Sequence, residues 1–307
     1  MSPVVEQLPR GGRVLIIRLR SLGDCVLTTP ALSLLHEYRP DLHIAVMADH
    51  AFRPVFEHNP DLFLLPQPTL PEALAFRPHL TLNLHGGTRS MQLTAASLAR
   101  WRAGFAHHSL SRLYNVRIPR AQEILGEERT VHTAEHLASA MFFLGVPVSD
   151  IPRARLHLPP ATTPEAPHGP LAIVHPFAAT PEKTWPAGRF VLLAAHLRDR
   201  MGLSPLIIGS DKDDFTPFRQ FPCFLGAPLD EIKKLMSMAS LFVGNDSGPA
   251  HMAAAFGLPV LVFFGPSDEV VWRPWRTKYE LLKNPAGCPA IPFEDALAAL
   301  PRLEGKA

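Results

Sequence analysis

Asp246, Ser247 and Gly248 follow the short apolar run Leu241–Val243 and lead through Pro249 into the helix-compatible stretch 250–256. A helix N-terminus there would offer unpaired N–H groups and about half a positive charge, which suits a phosphate. Gly248 lets a ligand approach the backbone, the Ser247 hydroxyl can donate, and His251 follows Ser247 by four residues on the same helical face. The same residues read equally well as a helix cap with a space-filling histidine. Asp24 closes the tetrad Ser21-Leu22-Gly23-Asp24 at the end of another apolar run. It is either the N-cap of the next helix or a carboxylate placed to take a proton from a hydroxyl. Lys183, in the Pro-bounded loop 179–186, is either a solvated lysine or a point charge for an anion. His132, Glu135 and His136 have the H-x-x-E-H order of inverted zinc proteases. Two histidines four apart on a helix can ligate zinc, but no third ligand is evident and the chain carries 15 histidines, so chance explains the match.

These residues sit in strands alternating with helices. Apolar runs at 13–18, 43–49, 61–66 and 79–84 predict strands, and 25–38, 90–101 and 132–145 predict helices, with Pro30 a possible kink in the first. The Pro-rich stretch 159–170 lacks periodicity and reads as a linker. Beyond it, strands at 171–177 and 203–209, helices at 187–201 and 229–238, and the unit 241–264 repeat the pattern, before a last helix from Pro292 to about Leu300. Alternation of this kind means α/β architecture with doubly wound parallel sheets, whose ligands bind at the carboxyl ends of strands. No G-x-G-x-x-G follows the first strand and no phosphate-binding G-x-x-x-x-G-K-[ST] occurs, which disfavours dinucleotide redox chemistry and P-loop phosphotransfer.

The 307 residues suffice for two domains, and 47% hydrophobic with 19% charged residues is a globular composition. No apolar run reaches the ~20 residues of a membrane span, and a secretory segment is absent, so the chain is expected in the cytosol. Three dispersed cysteines suggest neither disulfides nor a zinc site. The net charge of +2 conceals an uneven distribution. From 73 to 122 there is no acidic residue, against seven arginines and four histidines. Such a stretch suits an anionic acceptor or an anionic membrane leaflet; nucleic acid is not indicated.

Three segments in order, RVLIIRLRSLGDCVLTTPALSLL (13–35), HPFAATPEKTWPAGRF (175–190) and GNDSGPAHMAAAFGLPVLVFFGPSD (244–268), resemble the motifs of the heptosyltransferases of glycosyltransferase family 9. The resemblance implies a GT-B fold: two Rossmann-like doubly wound domains facing a central cleft. The acceptor domain would span 1–158, the linker 159–170 and the nucleotide-sugar domain 171–290, with the helix 291–307 packing back on the first domain. It also implies an inverting transfer of heptose from ADP-heptose to a lipid-anchored, anionic lipopolysaccharide inner-core acceptor, by an enzyme peripheral on the inner membrane.

Residue by residue, Asp24 matches the family's proposed catalytic base. Lys183, assisted by Thr180 and Thr184, matches the lysine on the donor diphosphate, and Asp246, Ser247, Gly248 and His251 complete the expected donor site. Asp211-Lys212-Asp213 has the D-x-D form of metal-dependent glycosyltransferases, yet stands where the family binds the nucleotide ribose; Asp213 or Asp211 is expected there. No metal or cofactor is expected, because a lysine and a helix dipole supply the positive charge. Ser21, Gly23, His85, Arg89, Arg112, Arg117 and Arg120 are the expected acceptor contacts. Asn83-Leu84-His85-Gly86-Gly87 departs from the family, which usually shows an acidic residue and a Gln before the Gly, and leaves the acceptor's identity open. Glu269, where relatives more often carry Pro, is a milder departure. The alternatives are another sugar or acceptor within the family, or a nucleotide-sugar-binding protein without activity.

Overall fold

Arg13–Ile17 is an apolar run buried on both faces, as a strand inside a parallel sheet must be. It is β1 in a computed structural model that describes residues 3–159 and 169–303. The chain divides into two units, Met1–His157 and Leu158–Ala307.

The first unit continues with α1 (Leu22–Tyr38), β2 (His43–Met47), β3 (Phe63–Leu64), α2 (Leu70–Phe76), β4 (Leu80–Asn83) and α3 (Thr88–Ala96). β5 (Trp101–Phe105), β6 (Val116–Ile118), α4 (Ala121–Leu125) and α5 (Thr133–Leu144) complete it. The sheet order is β3-β2-β1-β4-β5-β6, every pairing parallel. α1 runs on through the buried Pro30 and packs against α5. The helix expected over 90–101 stops at Ala96, and Trp101 instead starts β5, a strand the apolar pattern did not separate from the helix before it.

The second unit is built the same way from β7 (Leu171–His175), α6 (Ala187–Met201), β8 (Ser204–Gly209), β9 (Cys223–Leu225) and α7 (Leu229–Met238). β10 (Ala239–Asn245), α8 (Gly248–Ala255), β11 (Val260–Phe264), α9 (Glu269–Trp272), β12 (Tyr279–Lys283) and α10 (Phe293–Leu303) follow. Its parallel order β12-β11-β10-β7-β8-β9 repeats that of the first unit, since the first strand lies beside the second and the fourth in both.

One expectation is corrected here. The C-terminal helix belongs to the second unit: Ala296, Ala299, Leu300 and Leu303 of α10 are buried in that unit's core with Trp185, Phe190 and Leu261. Trp185 accounts for this, stacking on Phe263 at 4.1 Å and on Phe293, the first residue of α10, at 6.3 Å. Residues 160–168 of the expected linker lie outside the described residues. Among the described residues no helix is long and apolar enough to cross a membrane.

Candidate functional site

The order of the first sheet reverses between β1 and β4, and their carboxyl ends flank the switch point where open α/β sheets bind ligands. Asp24 stands there in the first turn of α1. Ser21, not Asp24, is the N-cap residue. Asp24 Oδ2 accepts from the Ser21 hydroxyl at 2.9 Å and from its N–H at 3.5 Å, while Oδ1 lies 3.3 Å from Arg18 Nη1. The Asp24 side chain keeps 27% of its surface exposed, against 7% for Arg18. The carboxylate is therefore fixed yet reachable. Arg18, absent from the sequence-based site, is held at the end of an apolar run; burial lowers its pKa and Asp24 pushes it back up. Its Nε has no hydrogen-bond partner. Burial also pushes the Cys25 thiol up to about 12, so this cysteine is no nucleophile.

The carboxyl end of β4 carries His85. Buried Asn83 accepts from the His85 and Gly86 N–H groups at 3.0 Å each, a local turn that sets the imidazole's direction. His85 Nδ1 then lies 3.2 Å from the Arg20 carbonyl, which brings it to the Asp24 loop. Burial lowers the His85 pKa, helped by Arg18. Ser21 is exposed, whereas Gly23 is buried inside α1 and offers no ligand surface, a correction forced by helix packing. Arg89 pairs with Asp49 at 2.7 Å beside a cavity of about 300 Å³ at the ends of β2 and β3.

The arginines of the acid-free stretch do not form one face. Arg100 and Arg102 stand at the amino end of β5, and the Arg77 carbonyl accepts from Arg13 at the start of β1. Arg112 lies in an exposed turn between β5 and β6, and Arg120 just beyond β6. Arg117, exposed on β6, lines two cavities, one with His107 and Arg120 and one with Arg100, Trp101 and Phe143. Period-two alternation and loop crossings divide the charge between both ends of the sheet, which composition alone does not reveal.

In the second unit the switch point lies between β7 and β10. Lys183 Nζ is 3.4 Å from Asp246 Oδ2. Its loop is pinned from below: buried Asn245 at the end of β10 accepts from Trp185 N and donates to the Pro176 carbonyl, both at 2.9 Å. Trp185 Nε1 donates to the Ile291 carbonyl at 2.9 Å. Gly265 is required because the Glu182 carbonyl occupies the place of a side chain there. The Thr184 hydroxyl donates to the Thr180 carbonyl at 2.8 Å and closes the loop on itself.

Gly248 opens α8, and no side chain caps it. Ser247 Oγ turns to His175 Nδ1 at 3.2 Å and the Asn245 carbonyl at 3.0 Å, so no side chain caps the Gly248 N–H; Pro249 has no N–H, and Ala250 N donates to the Ser247 carbonyl at 3.1 Å. Burial pulls His175 down to about 4, with Asp213 acting the other way, so the imidazole is neutral at pH 7. Asp213 Oδ2 accepts from Ser210 N at 2.7 Å and Oγ at 2.8 Å, beyond the carboxyl end of β8. His251 departs from expectation: it is buried at 5% exposure on the inner side of α8, with its ring 6.2 Å from Trp272.

The H-x-x-E-H match is a helix cap. His132 Nδ1 accepts from Ala134 N at 3.0 Å, Glu135 accepts from His132 N at 2.7 Å and from Arg129, and His136 stacks on Phe105 at 3.9 Å.

Two Rossmann-type units, each with polar groups at its switch point and one with an uncapped helix beside a lysine, define the GT-B class of glycosyltransferases. The family model of glycosyltransferase family 9 (heptosyltransferase) matches residues 78–292, and the chain belongs to that family. It is 25% identical to lipopolysaccharide heptosyltransferase 3 of Escherichia coli over 93% of this chain and 97% of that protein. In structure it is similar to a family 9 glycosyltransferase of Veillonella parvula (TM-score 0.80, 21% identity, 96% and 98% coverage). It is also similar to the ADP-heptose lipopolysaccharide heptosyltransferase II of E. coli (TM-score 0.78, 20% identity, 95% and 98% coverage). The chain is thus a glycosyltransferase of the heptosyltransferase type.

Proposed function

We propose that the protein transfers a heptose from ADP-heptose to a saccharide of the lipopolysaccharide inner core with inversion at the anomeric carbon. The observation that carries this reading is the carboxylate of Asp24, fixed by Ser21 and Arg18 yet open to solvent at a sheet switch point. Names of relatives support the sugar and the acceptor: one is a lipopolysaccharide heptosyltransferase and another acts with ADP-heptose. In this scheme the first unit binds the acceptor, and Asp24 takes the proton of its attacking hydroxyl as the bond from the anomeric carbon to the diphosphate breaks. The developing charge on the leaving nucleotide falls on Lys183 and on the uncapped Gly248 N–H at the start of α8. Asp246 orients Lys183, and the ribose would meet the loop of Asp211 and Asp213 after the second strand of its sheet, the usual place for a ribose-binding acid. The acceptor's lipid anchor would keep the enzyme on the inner face of the cytoplasmic membrane. Purified protein supplied with a panel of nucleotide sugars and truncated lipopolysaccharide acceptors should turn over ADP-heptose in preference to all other donors; preference for another nucleotide sugar would replace heptose in this reading.

A further inference from the structure

Four of the chain's 15 histidines gather at the carboxyl end of the first sheet. His85 comes from the loop after β4, His107 and His108 from the loop after β5, and His136 from the first turn of α5. The rings of His107 and His108 are 5.0 Å apart and those of His107 and His136 5.5 Å, with His136 stacked on buried Phe105. His108 is anchored twice. Its Nδ1 lies 2.9 Å from the Tyr114 hydroxyl, and its ring fills the space over Gly86, where a Cβ would meet it at 2.6 Å. His107 is exposed, and His85, His108 and His136 are half-buried, so the cluster borders solvent.

We propose that His85, His107, His108 and His136 form a subsite that recognises the hydroxyl groups of the acceptor saccharide beside Asp24. This rests on the reading that the first unit binds a saccharide acceptor. A neutral imidazole carries one N–H donor and one acceptor lone pair, the pairing a sugar hydroxyl needs; an imidazolium only donates and would suit a phosphate instead. The groups facing the cluster decide between the two forms. Arg18 acts on His85, His108 and His136, Arg120 acts on His107, and Arg20 adds to the effect on His85, while Asp24 is the acid that opposes them. Burial is the larger cause throughout, and it places His108 and His136 at about 4. At neutral pH all four rings are uncharged, in the one part of the sheet where a phosphate-binding cluster would need them charged.

The test uses the full-length protein, saturating ADP-heptose, and delipidated inner-core oligosaccharide, both phosphorylated and enzymatically dephosphorylated. His107→Ala removes an exposed ring at the solvent border of the cluster, and His136→Gln keeps a donor and an acceptor at a half-buried position. Each single change that removes a hydroxyl contact should raise the acceptor KM about 5- to 10-fold, the effect of one net hydrogen bond. His107→Ala should do so for both oligosaccharides alike, with kcat and donor KM within twofold, and His136→Gln should lose less than His136→Ala. Lowering the pH from 7.5 to 5.5 should leave binding of the dephosphorylated oligosaccharide nearly unchanged by calorimetry, because His108 and His136 stay uncharged over that range. Unchanged acceptor KM in His107→Ala and His136→Ala, or a loss confined to the phosphorylated oligosaccharide with tighter binding in acid, would overturn the assignment. A wild type that turns over neither oligosaccharide while hydrolysing or binding ADP-heptose would overturn the acceptor reading itself, and this subsite with it.

Discussion

Asp24 and Lys183 are held in similar ways: each reactive side chain faces an opposite charge, and each rests on a buried polar residue at a strand end. Lys183 is paired with Asp246 at 3.4 Å, so a diphosphate must compete with a carboxylate and gains the lysine only by displacing it or sharing it. Lys183→Ala should cost roughly 1.5–3 kcal/mol of nucleoside diphosphate binding, the range for hydrogen bonds to charged groups. The free nucleoside should bind within twofold of wild type. Calorimetry with ADP and adenosine measures both; equal losses would place Lys183 away from the phosphates. Asp24 and Lys183 were singled out in the sequence by the family resemblance, since each also reads as an ordinary helix-turn or loop residue. Their supports were not. Arg18, Asn83 and Asn245 end apolar strands, and only three-dimensional burial shows that Asn83 and Asn245 organise loops rather than cap them. His251 shows the complementary limit: residues 250–255 of α8 are all buried, so helical spacing from Ser247 does not single out an exposed side.

At the scale of elements, long periodic segments were readable and the short strands β5 and β6 were not. α6 and α7 fall at the expected residues, 187–201 and 229–238. β5 and β6 escaped because three to five residues between loops carry too little period to separate from a neighbouring helix. The placement of α10 was also beyond the sequence, since an amphipathic helix declares its apolar face but not the surface that receives it. Leu300, 2% exposed against the second unit's core, provides a test. Leu300→Ala should destabilise that unit by about 2–5 kcal/mol through lost burial and a residual cavity. Denaturant unfolding followed by hydrogen exchange should show the loss in β10, β11 and α6, with β1 and β4 unaffected. Loss of protection in the first unit alone would return α10 to the position the sequence suggested.

Both halves of the molecule repeat one sheet order; in the proposed reading the first takes the acceptor and the second the donor, and the basic stretch of the first would meet an anionic membrane. Because its arginines are divided between both ends of the sheet, only Arg112, Arg117 and Arg120, all exposed, are available as a group near β6. Each basic side chain at an anionic surface contributes about 1 kcal/mol, screened within a Debye length. Sedimentation with anionic vesicles should therefore fall steeply with salt, and replacing these three by Gln should reduce it further without changing donor affinity. Salt-independent or unchanged sedimentation would leave the stretch a matter of composition. In the proposed scheme one proton leaves the acceptor hydroxyl to Asp24. Asp24→Asn keeps the size of the side chain and its contact with Ser21 while removing the base. Steady-state kinetics with ADP-heptose and inner-core acceptor, run beside calorimetry of donor binding, measure this directly. The account predicts a loss in kcat of about 10²–10⁴-fold with donor affinity unchanged; wild-type kcat in the Asn variant would contradict it.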